Sequence, residues 1–182
     1  MQLNQKHGRE RRQVKISILA ECYTNECLGM ALCEELKESG LEYITKHKHV
    51  YSMAKVVGRF VELCKKLRVS EHLVALADYK PNSFDREYID RHTFNDRVIS
   101  KGIRIRQIRC DRRAYTILFN PRIEEVLAES REFKSKLGNP RFQRELKSRE
   151  ICEKYGNLFR GYIGGDRALV DKVIELILGG YR

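Results

Sequence analysis

Apolar positions recur along this chain with two alternating periods. Residues 14–20, Val-Lys-Ile-Ser-Ile-Leu-Ala, are mostly apolar and β-branched, so the segment reads as a strand. A helix follows over about 25–38, with Leu28, Leu32 and Leu36 on one stripe and Thr24 or Asn25 as its cap. Ser39 and Gly40 end it. Residues 43–51 form a weaker strand pattern, and 52–67 a second helix that buries Val56, Phe60, Leu63 and Cys64. The run 72–77 is continuously apolar, as suits a strand covered on both faces. A turn at 80–83 leads into a charged segment, 85–99, that reads as helix. Gly102 breaks it. Residues 103–108 alternate isoleucine with arginine like an edge strand, and 114–119 is another short strand.

The order β-α-β-α-β-α-β predicts an α/β fold: an open, mainly parallel sheet flanked by helices. The last third reads as helical. Pro121 fits a first helical turn, Pro140 starts a helix to about residue 155, and 156–165 reads as a glycine-spaced loop. Asp166 caps an amphipathic helix to about 178. The expected organisation is an N-terminal arm over 1–13, an α/β core over 14–120 and a helical C-terminal extension over 121–182 packed on it.

Charge changes the picture. Lys and Arg number 36 against 25 Asp and Glu, a formal net charge of +11. Such a surface points to a polyanionic partner, nucleic acid first. Arg11 and Arg12 in the arm, with Arg104, Arg106, Arg109, Arg112 and Arg113, make up the candidate backbone-binding set. The charged fraction, 34%, is common in thermophile proteins. No apolar run approaches the roughly 18 residues of a membrane span, and the polar start is not a secretory signal. The expected setting is the cytoplasm, with the six cysteines as reduced, mostly buried thiols. Cys22 and Cys27 with a histidine match no zinc spacing; His47 and His49 share a strand face but lack a third ligand. Tyr51, Tyr79 and Tyr88 are candidate stacking residues.

The sharpest chemistry lies at two strand ends. Glu21 follows the first strand and Asp78 follows 72–77, where open α/β sheets place ligands. The pattern of an apolar strand, then Glu21, Thr24, Asn25 and Glu26, resembles the first motif of Toprim domains, the module of topoisomerases, primases and several nucleases. Cys22 stands where that family usually has glycine. Asp78-Tyr79-Lys80 resembles the later Asp-x-Asp motif, with Lys80 in place of the second aspartate. Pro121-Arg122-Ile123-Glu124 resembles a Pro-x-Ile-Glu element of small Toprim-like proteins and of overcoming-lysogenization-defect nuclease domains. The resemblance spans roughly 14–127.

It implies a Mg²⁺- or Mn²⁺-dependent nuclease. Asp78 and Glu124 would ligate metal, Glu21 would be acid/base or a further ligand, and Lys80 would hold phosphate. Maturation of structured RNA is a variant of that reading. The alternatives are a non-catalytic nucleic-acid-binding protein on a degenerate Toprim fold, and an assembly protein of a mobile element. A homo-oligomer is compatible with each.

Overall fold

A computed structural model describes residues 13–39, 42–49, 53–68, 70–80 and 84–179. The elements are β1 (Gln13–Ala20), α1 (Tyr23–Glu38), β2 (Glu42–His49), α2 (Met53–Cys64), β3 (Glu71–Asp78), α3 (Phe84–His92), β4 (Thr93–Ser100), β5 (Ile103–Ile108) and β6 (Ala114–Phe119). Five helices follow: α4 (Ile123–Leu127), α5 (Arg131–Leu137), α6 (Pro140–Glu145), α7 (Ile151–Gly165) and α8 (Arg167–Gly179).

The strands form one open, mixed sheet in the order β2-β1-β3-β6-β5-β4. β2, β1, β3 and β6 run parallel; β5 and β4 are antiparallel additions. The chain leaves β1 in one direction and β3 in the other. The crevice between their carboxyl ends is therefore the topological switch point.

Period-2 alternation divides the core between the sheet faces. Ile16, Ile18, Val74, Leu76, Ile105 and Ile117 pack with α1 and the C-terminal helices. Leu19, Leu73, Ala75 and Ile108 pack with Val56 and Phe60 of α2. α1 lies close on the sheet at Gly29, where a Cβ would meet Ile18 Cγ2 at 3.0 Å and Leu76 Cδ1 at 3.3 Å. The C-terminal helices share this core: Phe133 contacts Phe142, Phe159 and Tyr162, while Val170 and Ile177 are fully buried.

Several expectations need correction. The segment 85–99 is not one helix: α3 stops at His92 and β4 begins at Thr93. Thr93 Oγ1 donates to Ile89 O at 2.7 Å, and the β-branched Val98 pairs with Arg104 of β5. β5 is therefore an interior strand, and β4 is the edge. Gly102 is the hairpin turn between them, with φ of 76°, where a Cβ would strike Val126 at 2.7 Å. Residues 156–165 are helix, because Ile151, Phe159 and Ile163 keep a buried helical stripe and tertiary packing outweighs glycine's low propensity. Pro121 precedes α4 rather than sitting in its first turn, after a cis Asn120–Pro121 bond. Thr24 and Asn25 do not cap α1; Cys22 is the N-cap, and Thr24 Oγ1 donates instead to Leu146 O at 2.9 Å.

The cysteines also depart from expectation. Cys27 is bonded to Cys152 and Cys64 to Cys110, leaving Cys22 and Cys33 free. Cys27 and Cys152 lie 125 residues apart, and their bond ties α1 to α7; sequence spacing carries no sign of such a contact. The bond also removes Cys27 from any zinc site. Gly40, Tyr51, the turn at 81–83 and the arm with Arg11 and Arg12 lie outside the described residues, as do the side chains of His47 and His49.

Candidate functional site

The end of β3 is fixed from three sides. Tyr79 N donates to Phe119 O at 2.7 Å, which closes the ladder to β6. Asp78 N donates to Glu21 Oε2 at 2.8 Å, so the side chain following β1 holds the backbone of β3. Ile123 N donates to Asp78 Oδ1 at 2.9 Å, so the aspartate satisfies an opening amide of α4. These bonds use one oxygen of each carboxylate. The other two, Glu21 Oε1 and Asp78 Oδ2, face the Lys80 ammonium at 3.6 and 3.7 Å.

The three residues open into a cleft of about 540 Å³. Glu124 lines the same cleft from α4, as do Cys22, Arg122, Leu137, Gln143, Leu146 and Lys147. The fold thus gathers Glu21, Asp78, Lys80 and Glu124 from three separate stretches of chain. Of the additional lining residues, Leu137, Gln143, Leu146 and Lys147 belong to the C-terminal segment, where the sequence shows no motif. Arg122 sits inside the Pro-x-Ile-Glu element, which drew attention to its glutamate rather than to its cation.

Crowding of like charge marks the site. Burial pushes the Asp78 carboxyl up to about 6, and Glu21 and Glu124 add to the rise. The Ile123 amide and Lys80 oppose it without cancelling it. The Cys22 thiol is pushed up to about 12, first by burial and then by Asp78, Glu124 and Glu21. Cys22 is therefore a neutral thiol lining the cleft rather than a thiolate nucleophile.

The donors are hard oxygens, the chemistry a Mg²⁺ or Mn²⁺ ion prefers. Their arrangement does not fit that ion. Of the Glu21 and Asp78 carboxylates only Oε1 and Oδ2 remain beyond the amide bonds, an ammonium lies against both, and Glu124 lines the cleft without completing a group of three. Among the described residues no group of three His, Cys, Asp or Glu side chains is placed to hold a metal.

The arginine-rich stretch lies elsewhere. Arg106 is buried, paired with Asp90 and Asp96, and donates to Tyr79 OH at 3.1 Å. Arg104 pairs with Asp96 at 3.3 Å. Arg113 is bound to Asp111 and to the carbonyls of Leu67 and Arg68. Arg109 donates to Arg91 O and lies over Phe94, and Arg112 is exposed. Ala114 is paired with Leu73, and Phe119 with Asp78. Five strand residues, roughly 16 Å, therefore separate the Arg113 end of the sheet from the carboxylates. Tyr79 is buried under Arg106, and Tyr88 is half-buried beside His92; neither offers an open stacking face.

The fold and site together define an open α/β protein with a charged crevice at its switch point. No family model, curated protein or solved structure matches this chain. Among the described residues no helix is long and apolar enough to cross a membrane.

Proposed function

We propose that the chain acts on nucleic acid at this cleft, as a Toprim-like protein in which Lys80 takes the place of the second motif aspartate. The observation that carries the reading is the convergence of Glu21, Asp78 and Lys80 at the β1/β3 switch point, with Glu124 in the same cleft. Glu21 and Asp78 face the Lys80 ammonium at the cleft floor, where it offsets part of their negative charge. The net charge of +11 supplies long-range attraction for a polyanion.

Binding without cleavage is the reading that the donor set supports best. A second reading, Mg²⁺-dependent phosphodiester hydrolysis, is favoured by the burial and the neighbouring acids that raise Asp78, which a divalent cation would offset. It requires Lys80 to leave the carboxylates. A cytoplasmic setting accompanies either reading. Two disulfides there would follow the habit of hyperthermophile proteins, in keeping with the charge-rich composition.

Incubating labelled DNA and RNA with the protein, with Mg²⁺, with Mn²⁺ and with chelator, tests both readings. The expected result is salt-sensitive binding that the metals leave unchanged. Cleavage that requires metal and disappears in Glu21→Gln and in Asp78→Asn would establish the second reading. Absence of binding, or binding indifferent to salt, would remove both.

A further inference from the structure

We propose that Arg122 and Lys147 form the phosphate clamp of the cleft and that the strand they hold is unpaired; this rests on the nucleic-acid reading above. The cations that suggest nucleic acid in the sequence are largely engaged within the protein. Arg104, Arg106 and Arg113 satisfy aspartates and backbone carbonyls. Arg122 and Lys147 are different. Both are exposed and both line the cleft. Among the described residues neither side chain has a hydrogen-bond or ion-pair partner.

Their backbones are nevertheless fixed. Arg122 immediately precedes Ile123, whose amide is held by Asp78 Oδ1 at 2.9 Å. Lys147 immediately follows Leu146, whose carbonyl accepts from the buried Thr24 hydroxyl at 2.9 Å. The Cys27–Cys152 bond fastens the same C-terminal segment to α1. Two cations are thus carried into the cleft on fixed backbone, Arg122 just before α4 and Lys147 just beyond α6. Such placement lowers the ordering cost of binding.

The geometry also selects the ligand's form. Glu21, Asp78 and Glu124 repel phosphate from the floor, so backbone phosphates belong at the Arg122 and Lys147 level. Leu137 and Leu146 provide apolar wall for a sugar or base. A volume of about 540 Å³ falls among pockets that enclose a single small ligand, roughly 300–1,000 Å³. One or two nucleotides of a flexible strand can enter it. A duplex, whose major groove alone is about 12 Å wide, cannot.

Fluorescence anisotropy with short labelled single-stranded DNA, single-stranded RNA of the same sequence and the DNA duplex tests this. The protein should bind the single strands more tightly than the duplex. Arg122→Gln/Lys147→Gln should weaken single-strand binding about tenfold or more and reduce the salt slope by about 1.4, or about 0.7 per lost phosphate contact. Whichever single strand binds more tightly names the sugar. Lys65→Gln/Lys66→Gln removes equal charge beyond the end of α2, on the other sheet face, and should cost less than about threefold. Both pairs are exposed, so circular dichroism should show unchanged folding. Equal losses in the two pairs, or duplex binding as tight as single-strand binding, would overturn the inference while leaving the nucleic-acid reading standing. No binding by the unaltered protein would overturn both.

Discussion

Asp78 and Arg106 are two buried charges on opposite faces of one sheet, with Tyr79 adjoining both, and they are treated in opposite ways. Arg106 is surrounded by partners. Asp90 and Asp96 accept its hydrogen bonds, Tyr79 OH accepts a third, and its guanidinium lies 4.7 Å from the Tyr79 ring centre. Burial lowers its pKa, but the hydrogen bonds it donates to Asp96 and Asp90 outweigh that and hold its proton more tightly than usual. Asp78 has one amide, one lysine at 3.7 Å and two acidic neighbours. Its pKa therefore moves in the direction that disfavours its charge. A buried charge paired with opposite charges is architecture. A buried charge left in conflict, on the floor of a cleft, is the pattern associated with binding and catalysis.

The largest expected effect tests the compensated side. Arg106→Met leaves Asp90, Asp96 and the Tyr79 hydroxyl without their shared cation. Loss of one partner from a buried ionic network typically costs about 3 kcal/mol or more. Urea unfolding at pH 7 should show a loss near the lower end of that range, because Asp90 and Asp96 retain access to water. A change under about 0.5 kcal/mol would mean that Arg106 does not hold this face together, and the contrast with Asp78 would fail.

Asp78→Asn tests the other side and should have the opposite sign. The Asp78 pKa is raised from 3.8 to about 6, so the folded state binds its proton more tightly than the unfolded chain. The stability linked to that proton is fully present below about pH 3.8 and is lost as pH rises through about 6. Above pH 7 the ionised carboxylate therefore costs about 2–3 kcal/mol, from roughly two pKa units at 1.36 kcal/mol each. Asparagine keeps an oxygen for the Ile123 amide and removes the charge. Thermal unfolding at pH 7.5 should show the variant as more stable by about that amount, and the gain should vanish near pH 4. A less stable variant at pH 7.5 would show that the carboxylate is compensated after all.

The same two residues show what was legible in the chain. Glu21 and Asp78 could be placed at strand ends because apolar runs at 14–20 and 72–77 fix where the strands stop. Glu124 came only through the resemblance of Pro121-Arg122-Ile123-Glu124 to a Pro-x-Ile-Glu element. Arg106 could not be read correctly: alternation with isoleucine gives an edge strand and a buried strand the same pattern, and its partners Asp90 and Asp96 sit in a segment whose charge obscured the change from α3 to β4. Lys147 was invisible for a different reason. It owes its place to a tertiary contact, Thr24 with Leu146, across 122 residues. The glycines of α7 likewise mark a loop by propensity, and only packing against α1 makes them helical.

The smallest expected effect joins the comparison to function through the sign of a pH dependence. Within the cleft, Asp78 faces Glu21 beyond β1, Glu124 on α4 and Lys80 beyond β3, and Arg122 and Lys147 line the same cleft. Protonation of Asp78 as pH falls through about 6 removes one negative charge from the floor beneath the ligand's phosphates. Single-strand affinity should therefore rise between pH 7.5 and 5, by about fivefold, the size of one unit charge acting across a partly wet cleft. Asp78→Asn should bind at pH 7.5 as the unaltered protein does at pH 5, with little remaining dependence, and Arg106 should have no part in the profile. A metal-dependent nuclease would run the other way, because its ligand must be the carboxylate and activity would grow as pH rises through the same value. Affinity measured across that range, with and without Mn²⁺, separates a cleft that holds phosphate through cations alone from one that needs a divalent ion.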